Sequence, residues 1–179
     1  KAAARGDYQS MANLAQSFEY GVGVKKDARM ALLWYKKSTE GGDAANQSSL
    51  GVVYQQGEIV ERDLSQAFFW WTKAAAQGYA DAQYNLGVCY QEGEGVDGGC
   101  DMAQAVKWWQ AAVESSHHLA ADSLARSYEE GTGICKNMNL AVRWYTVAAE
   151  QGIASSQCKL AFCYQEGIEV TKDWSAAVL

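Results

Sequence analysis

Several stretches of this chain carry residue types at spacings that do chemistry in other proteins. Gly93-Glu94-Gly95-Val96-Asp97-Gly98 has the GxGxxG spacing of a dinucleotide-binding turn. That turn cradles a pyrophosphate only where a strand leads into it and a helix N-terminus follows. Here Ala82, Leu86 and Tyr90 stand four apart just before it, which is helical spacing, so nucleotide binding is set aside. Ser156-Gln157-Cys158-Lys159 has the SxxK spacing of an activated serine, but the companion SDN and KTG motifs are missing. His117 and His118 are adjacent and are the 2 histidines of the chain. Zinc needs three or four ligands at suitable spacing, and Cys158 and Cys163 are far away in sequence. A His-based catalytic triad is nearly excluded on the same count. The residues support no catalytic, metal or cofactor assignment. The aromatic pairs Trp34-Tyr35, Trp70-Trp71, Trp108-Trp109 and Trp144-Tyr145 would suit a carbohydrate platform, yet their fixed register argues for packing.

That register runs through the whole chain. Aligned on Leu14, Leu50, Leu86, Leu124 and Leu160, an aromatic ring follows four residues later at Phe18, Tyr54, Tyr90, Tyr128 and Tyr164. Glycine comes next, at Gly21, Gly57, Gly93, Gly131 and Gly167, then Val24, Val60, Val96, Ile134 and Val170. Asp27, Asp63, Asp101 and Asn137 stand seven residues before the first ring of each pair. Such self-similarity marks a repeat protein. Within one unit, Ala82, Leu86 and Tyr90 share one face of a helix that Gly93 closes in a left-handed conformation. Asp101 caps a second helix. In two units Gln66 or Gln104 stands three residues further on, as in a capping box. Ala105, Trp108 and Ala112 are read as the buried face of that second helix, with the second ring of each pair partly exposed. On that reading Trp70→Ala or Trp108→Ala costs about 3–5 kcal/mol.

One helical hairpin cannot bury both its faces, but a stack of them can, and the expected product is an all-α solenoid with contacts between adjacent units. Lys1 aligns with Lys37 and Lys73, and Leu179 with Leu33, so both ends are read as falling within a helix of a longer array. Residues 1–179 are read as one array, with about four full units and partial units at the ends.

Leu86-Gly87, Tyr90, Gly93, Gly95, Val96, Asp101, Ala105, Trp108, Ala111 and Ala112 together resemble the Sel1-like repeat. The resemblance covers the entire chain and implies a right-handed α/α superhelix of units of about 36 residues, with no shared catalytic residues. It further implies a non-enzymatic scaffold or adaptor whose partner is another protein. The alternative is a targeting or regulatory region of a larger multidomain enzyme or signalling protein. A weak hydrolase would show as turnover lost in Ser156→Ala. There are departures from the pattern: Ile59 and Glu169 replace the second loop glycine held by Gly23, Gly95 and Gly133, and unit three has two extra residues among Asp97-Gly98-Gly99-Cys100. Unit three also ends in Ser115-Ser116-His117-His118, where other units have glycine.

A net charge of −6 without a repeated Lys or Arg position argues against nucleic acid. No apolar run is long enough to insert into a membrane. Secreted relatives of the family staple each unit with a cysteine pair, and that pattern is missing. The 5 cysteines, irregularly spaced, point to free thiols and a cytoplasmic rather than secretory setting. The sequon at Asn46-Gln47-Ser48 lies inside a helix and is read as coincidental.

Two binding surfaces remain. The side of the first helices opposite the core, expected to be concave, presents Val52, Gln55, Tyr84, Val88, Gln91, Arg126 and Phe162, suited to a partner peptide or helix. The alternative for its apolar members is packing between neighbouring first helices. The second candidate is one edge formed by the unit-three insertion, Asp97 and Cys100, with His117 and His118.

Overall fold

The structure, a computed structural model, describes residues 7–170. The two chain ends, where Lys1 and Leu179 were aligned within helices, lie outside the described residues. Nine α-helices follow one another among them: α1 (Tyr8–Tyr20), α2 (Ala28–Ser38), α3 (Ala44–Gln56), α4 (Leu64–Ala75), α5 (Ala80–Glu92), α6 (Met102–Glu114), α7 (His118–Glu130), α8 (Met138–Glu150) and α9 (Ala154–Glu166). No strand occurs among the described residues. Helices α1, α3, α5 and α7 each pack most extensively on the even helix that follows, and each even helix then meets the next odd one. The result is an all-α solenoid of two-helix hairpins, its core running along the stack between Tyr35, Leu50, Trp71, Leu86, Trp109, Leu124 and Tyr145.

Local chemistry sets the hairpin. Asp27, Asp63, Asp101 and Asn137 each accept a hydrogen bond from the N–H three residues on, at 2.9–3.1 Å. The capping box, however, is only half formed. The N–H of Asp63 donates to the Tyr54 carbonyl at 3.0 Å, and that of Asp101 to the Tyr90 carbonyl at 2.8 Å. Gln66 and Gln104 therefore have no free N–H to reach back to. The same bond joins Asp27 to Phe18 and Asn137 to Tyr128, so it ties the entry of each second helix to the aromatic position of the first. The second loop glycine has a separate cause. Gly95 and Gly133 lie against the carbonyls of Leu64 and Met102 in the preceding unit, where a side chain has no room. Glu169 keeps the left-handed backbone at φ 56°, whereas Ile59 leaves it and packs its side chain on the core.

The sequence reading placed the wrong ring inside. Tyr35, Trp71, Trp109 and Tyr145, the second of each pair, are buried, while Trp34, Trp70, Trp108 and Trp144 are half-buried. Ala105, Trp109 and Ala112 form the stripe that faces the first helix, since Trp109 stands four residues after Ala105 and three before Ala112.

Candidate binding surfaces

The motifs that suggested chemistry are absorbed by the scaffold. Gly93 ends α5 and Gly95 abuts the preceding unit, with no strand before them. Ser156 is fully buried, as its alignment with Ala82 predicts, and its hydroxyl donates to Asp122 Oδ1 at 2.6 Å. Lys159 instead pairs with Glu129 at 2.8 Å. Asn46 is buried, and its amide donates to the Ser38 carbonyl at 3.2 Å, so the sequon is structural. All five cysteines are free thiols; Cys89 and Cys163 are buried, and burial raises the Cys89 thiol pKa to about 11.

The first predicted surface resolves into clefts between consecutive odd helices. One, between α3, α4 and α5, is a crevice of about 30 Å3 with Gln55 and Val88 on its walls and Trp71 on its floor. Its counterpart one unit later, of about 260 Å3, has Gln91 and Arg126 on its walls and Trp109 on its floor. Val52 and Val88 are half-buried, Val52 packing on the core, whereas Phe162, at the same repeat position, is 54% exposed. Arg126 is steadied by Asp122, 3.1 Å away. Asp122, itself buried, also takes hydrogen bonds from Ser155 and Ser156 and so joins α7 to α9. Glu129 makes a second tie. Burial pushes its carboxyl pKa up, but hydrogen bonds from Lys159 and Tyr145, with the charges of Lys159 and Lys136, outweigh that and hold it below the ordinary 4.5.

The structure divides the second predicted surface. Asp97 and Cys100, both exposed, precede α6, whereas His117 and His118 follow its C-terminus. Thirteen helical residues separate the two ends by about 20 Å. The four residues therefore do not share one edge. Instead, His117 joins Tyr84 of the first surface: the rings stack at 4.5 Å between centroids, inclined by 20°. His117 caps α7, its Nδ1 accepting from the Ala120 N–H at 3.3 Å, while Nε2 lies 3.6 Å from Asp81. The sequence signal for this was faint: unit three alone has Ser-His-His in place of Gly, and Tyr84 is a ring without a counterpart at its repeat position.

Two-helix hairpins, each packed on its neighbours, define an α/α repeat solenoid. The chain belongs to the Sel1 repeat family, which it matches over residues 9–43, 47–79, 80–117, 118–153 and 154–178. Sel1 repeat proteins generally act in protein–protein interaction and are generally non-enzymatic scaffolds. The chain is similar to a protective antigen of uropathogenic Escherichia coli strains that displays an SLR fold, with 32% identity over 98% of this chain and a TM-score of 0.92. It spans 37% of that protein's length. A Sel1 repeat protein from Oxalobacter formigenes is also 32% identical, with 99% of this chain and 72% of that one covered and a TM-score of 0.89. An immunity protein from Pseudomonas aeruginosa shares the fold at 23% identity and a TM-score of 0.61, over 99% of this chain and 67% of that one. No curated protein sequence matches the chain significantly. No helix among the described residues is long and apolar enough to cross a membrane.

Proposed function

We propose that the chain is a protein-binding scaffold that receives a partner peptide or helix along the concave side formed by its first helices. The observation that carries this reading is the recurrence of one cleft, with Gln55 and Val88 over Trp71 and again Gln91 and Arg126 over Trp109. A partner laid across the odd helices meets a related pattern at successive units: an amide at Gln55 and Gln91 or a carboxylate at Glu19 and Glu129, a buried aromatic ring, and a variable position that holds Val52, Val88, Arg126 and Phe162 in turn. Amide side chains donate to and accept from a peptide backbone, and the variable position supplies selectivity. Tyr84, braced by His117, stands one turn before Val88.

The test is to recover a partner by affinity purification with mass spectrometry and titrate it against Val88→Glu, Arg126→Glu and a control on the outer side of α6, Lys107→Glu. The expected result is at least about tenfold weaker binding, near 1.4 kcal/mol, for the first two and none for the control. Unchanged affinity in all three, with melting temperatures intact, removes this face as the docking surface.

A further inference from the structure

A second cavity opens on another side of the solenoid, between α6, α7 and α8. It has a volume of about 650 Å3, within the range of ligand sites, roughly 300–1,000 Å3. Leu124, Tyr128, Trp144, Val113 and Val147 line it, with Ala121 at its base. Three departures from the repeat meet here. Position 121 is Ala where the other units have the longer Met11, Gln47, Gln83 and Gln157, and of these Met11, Gln47 and Gln83 are buried. Ser116 holds φ 65° where the others have Gly42, Gly78 and Gly152. His117 replaces Asp43, Tyr79 and Ile153 at the cap. At the equivalent place one unit later Glu150, Gln157, Leu160 and Tyr164 line a cavity of about 410 Å3, so the unit-three cavity is an enlarged form of a recurring one.

We infer that this cavity receives an arginine side chain from a partner protein. Charge complementarity selects it. Glu114, at the C-terminal end of α6, lines the cavity and makes no ion pair among the described residues, and the helix terminus adds negative potential. Asp81 lies behind His117 at 3.6 Å. Burial, ahead of the opposing pull of Asp81, keeps the His117 pKa below its ordinary value, so at neutral pH the histidine opposes no cation. The aliphatic stem of arginine matches Val113, Leu124 and Val147, and its planar guanidinium stacks on aromatic rings and pairs with carboxylates. Arg143 lies 6.0 Å from the Trp144 ring centre, at the limit of such contacts.

The test uses blocked single residues as probes. Nα-acetyl-arginine methylamide and Nα-acetyl-norleucine methylamide are titrated into the 13C-methyl-labelled chain and followed by NMR. The proposal expects saturable shifts confined to the methyls of Ala121, Leu124, Val113 and Val147 with the arginine probe, at least about fivefold weaker with norleucine. Glu114→Gln weakens arginine binding by a similar factor, and Ala121→Gln abolishes it while keeping the fold, since Gln already stands at three equivalent positions. Absent or scattered shifts overturn the proposal. So does equal binding of the two probes, or full binding by either variant.

Discussion

Gly51 lies so close to the indole of Trp71 that a side-chain carbon on the glycine would fall 2.6 Å from Trp71 Nε1. Gly87 and Trp109 repeat the relationship one unit later. Where the second ring is a tyrosine, the partner is larger: Ala15 pairs with Tyr35 and Ala125 with Tyr145. In those units the phenol donates to a carboxylate, Tyr35 Oη to Glu19 at 2.6 Å and Tyr145 Oη to Glu129 at 2.5 Å, at the position that Gln55 and Gln91 hold in the tryptophan units. The ring, the small residue and the acid-or-amide position thus change together. An indole needs a bare backbone to lie on, whereas a phenol leaves room for a methyl group but needs an acceptor.

Gly87→Ala is therefore expected to destabilise the chain by about 1–3 kcal/mol through overpacking against Trp109. Ala125→Gly, opposite the smaller ring of Tyr145, is expected to cost no more than about 1 kcal/mol. Thermal or urea denaturation compares the two, and equal losses would discount the indole contact.

Tyr35→Phe leaves Glu19, 4% exposed, without its phenolic donor, and a loss of about 1–3 kcal/mol is expected. Tyr35→Trp alone is expected to clash with Ala15. The triple change Ala15→Gly, Glu19→Gln, Tyr35→Trp recreates the unit-two set and should recover much of that loss. A double-mutant cycle on denaturation midpoints measures the coupling.

Trp109→Ala empties a site that is 1% exposed and is expected to cost about 3–5 kcal/mol. Trp108→Ala, half-buried, should cost clearly less. The comparison by urea unfolding separates the two rings of a pair, and a reversed order would contradict the observed burial.

Ser116 adopts a left-handed backbone that its repeat mates reserve for glycine. Ser116→Gly should raise stability by about 1 kcal/mol, because the strain on the β-carbon disappears. Calorimetry reads it as a higher melting temperature.

His117 titrates below its ordinary value of 6.5, chiefly because it is buried. The unfolded chain then binds its proton at a higher pH than the folded chain does, so stability is full above about 6.5 and declines as pH falls through the folded value. Protonation also takes Nδ1 from the Ala120 N–H. His117→Asn, which caps without titrating, should flatten the part of the melting-temperature profile that this group contributes between pH 7.5 and 5.5.

The hairpins and their phase were legible in the residues because caps and helix periodicity are local. Asp101 and Gln104 are three apart, and Leu86, Tyr90 and Gly93 lie within two turns, so spacing alone dictates how they meet. Recurrence then implied stacking, since a lone hairpin leaves apolar surface in water. The tertiary structure decided everything that depends on which faces meet. It chose Trp109 over Trp108 as the buried ring, because the adjoining helix presents Gly87 to one and not the other. It brought Asp122 to Ser156 and Tyr84 to His117 across more than thirty residues, and it put the length of α6 between Cys100 and His118. Spacing along a chain sets which side of a helix a residue occupies, but only packing sets what stands opposite it.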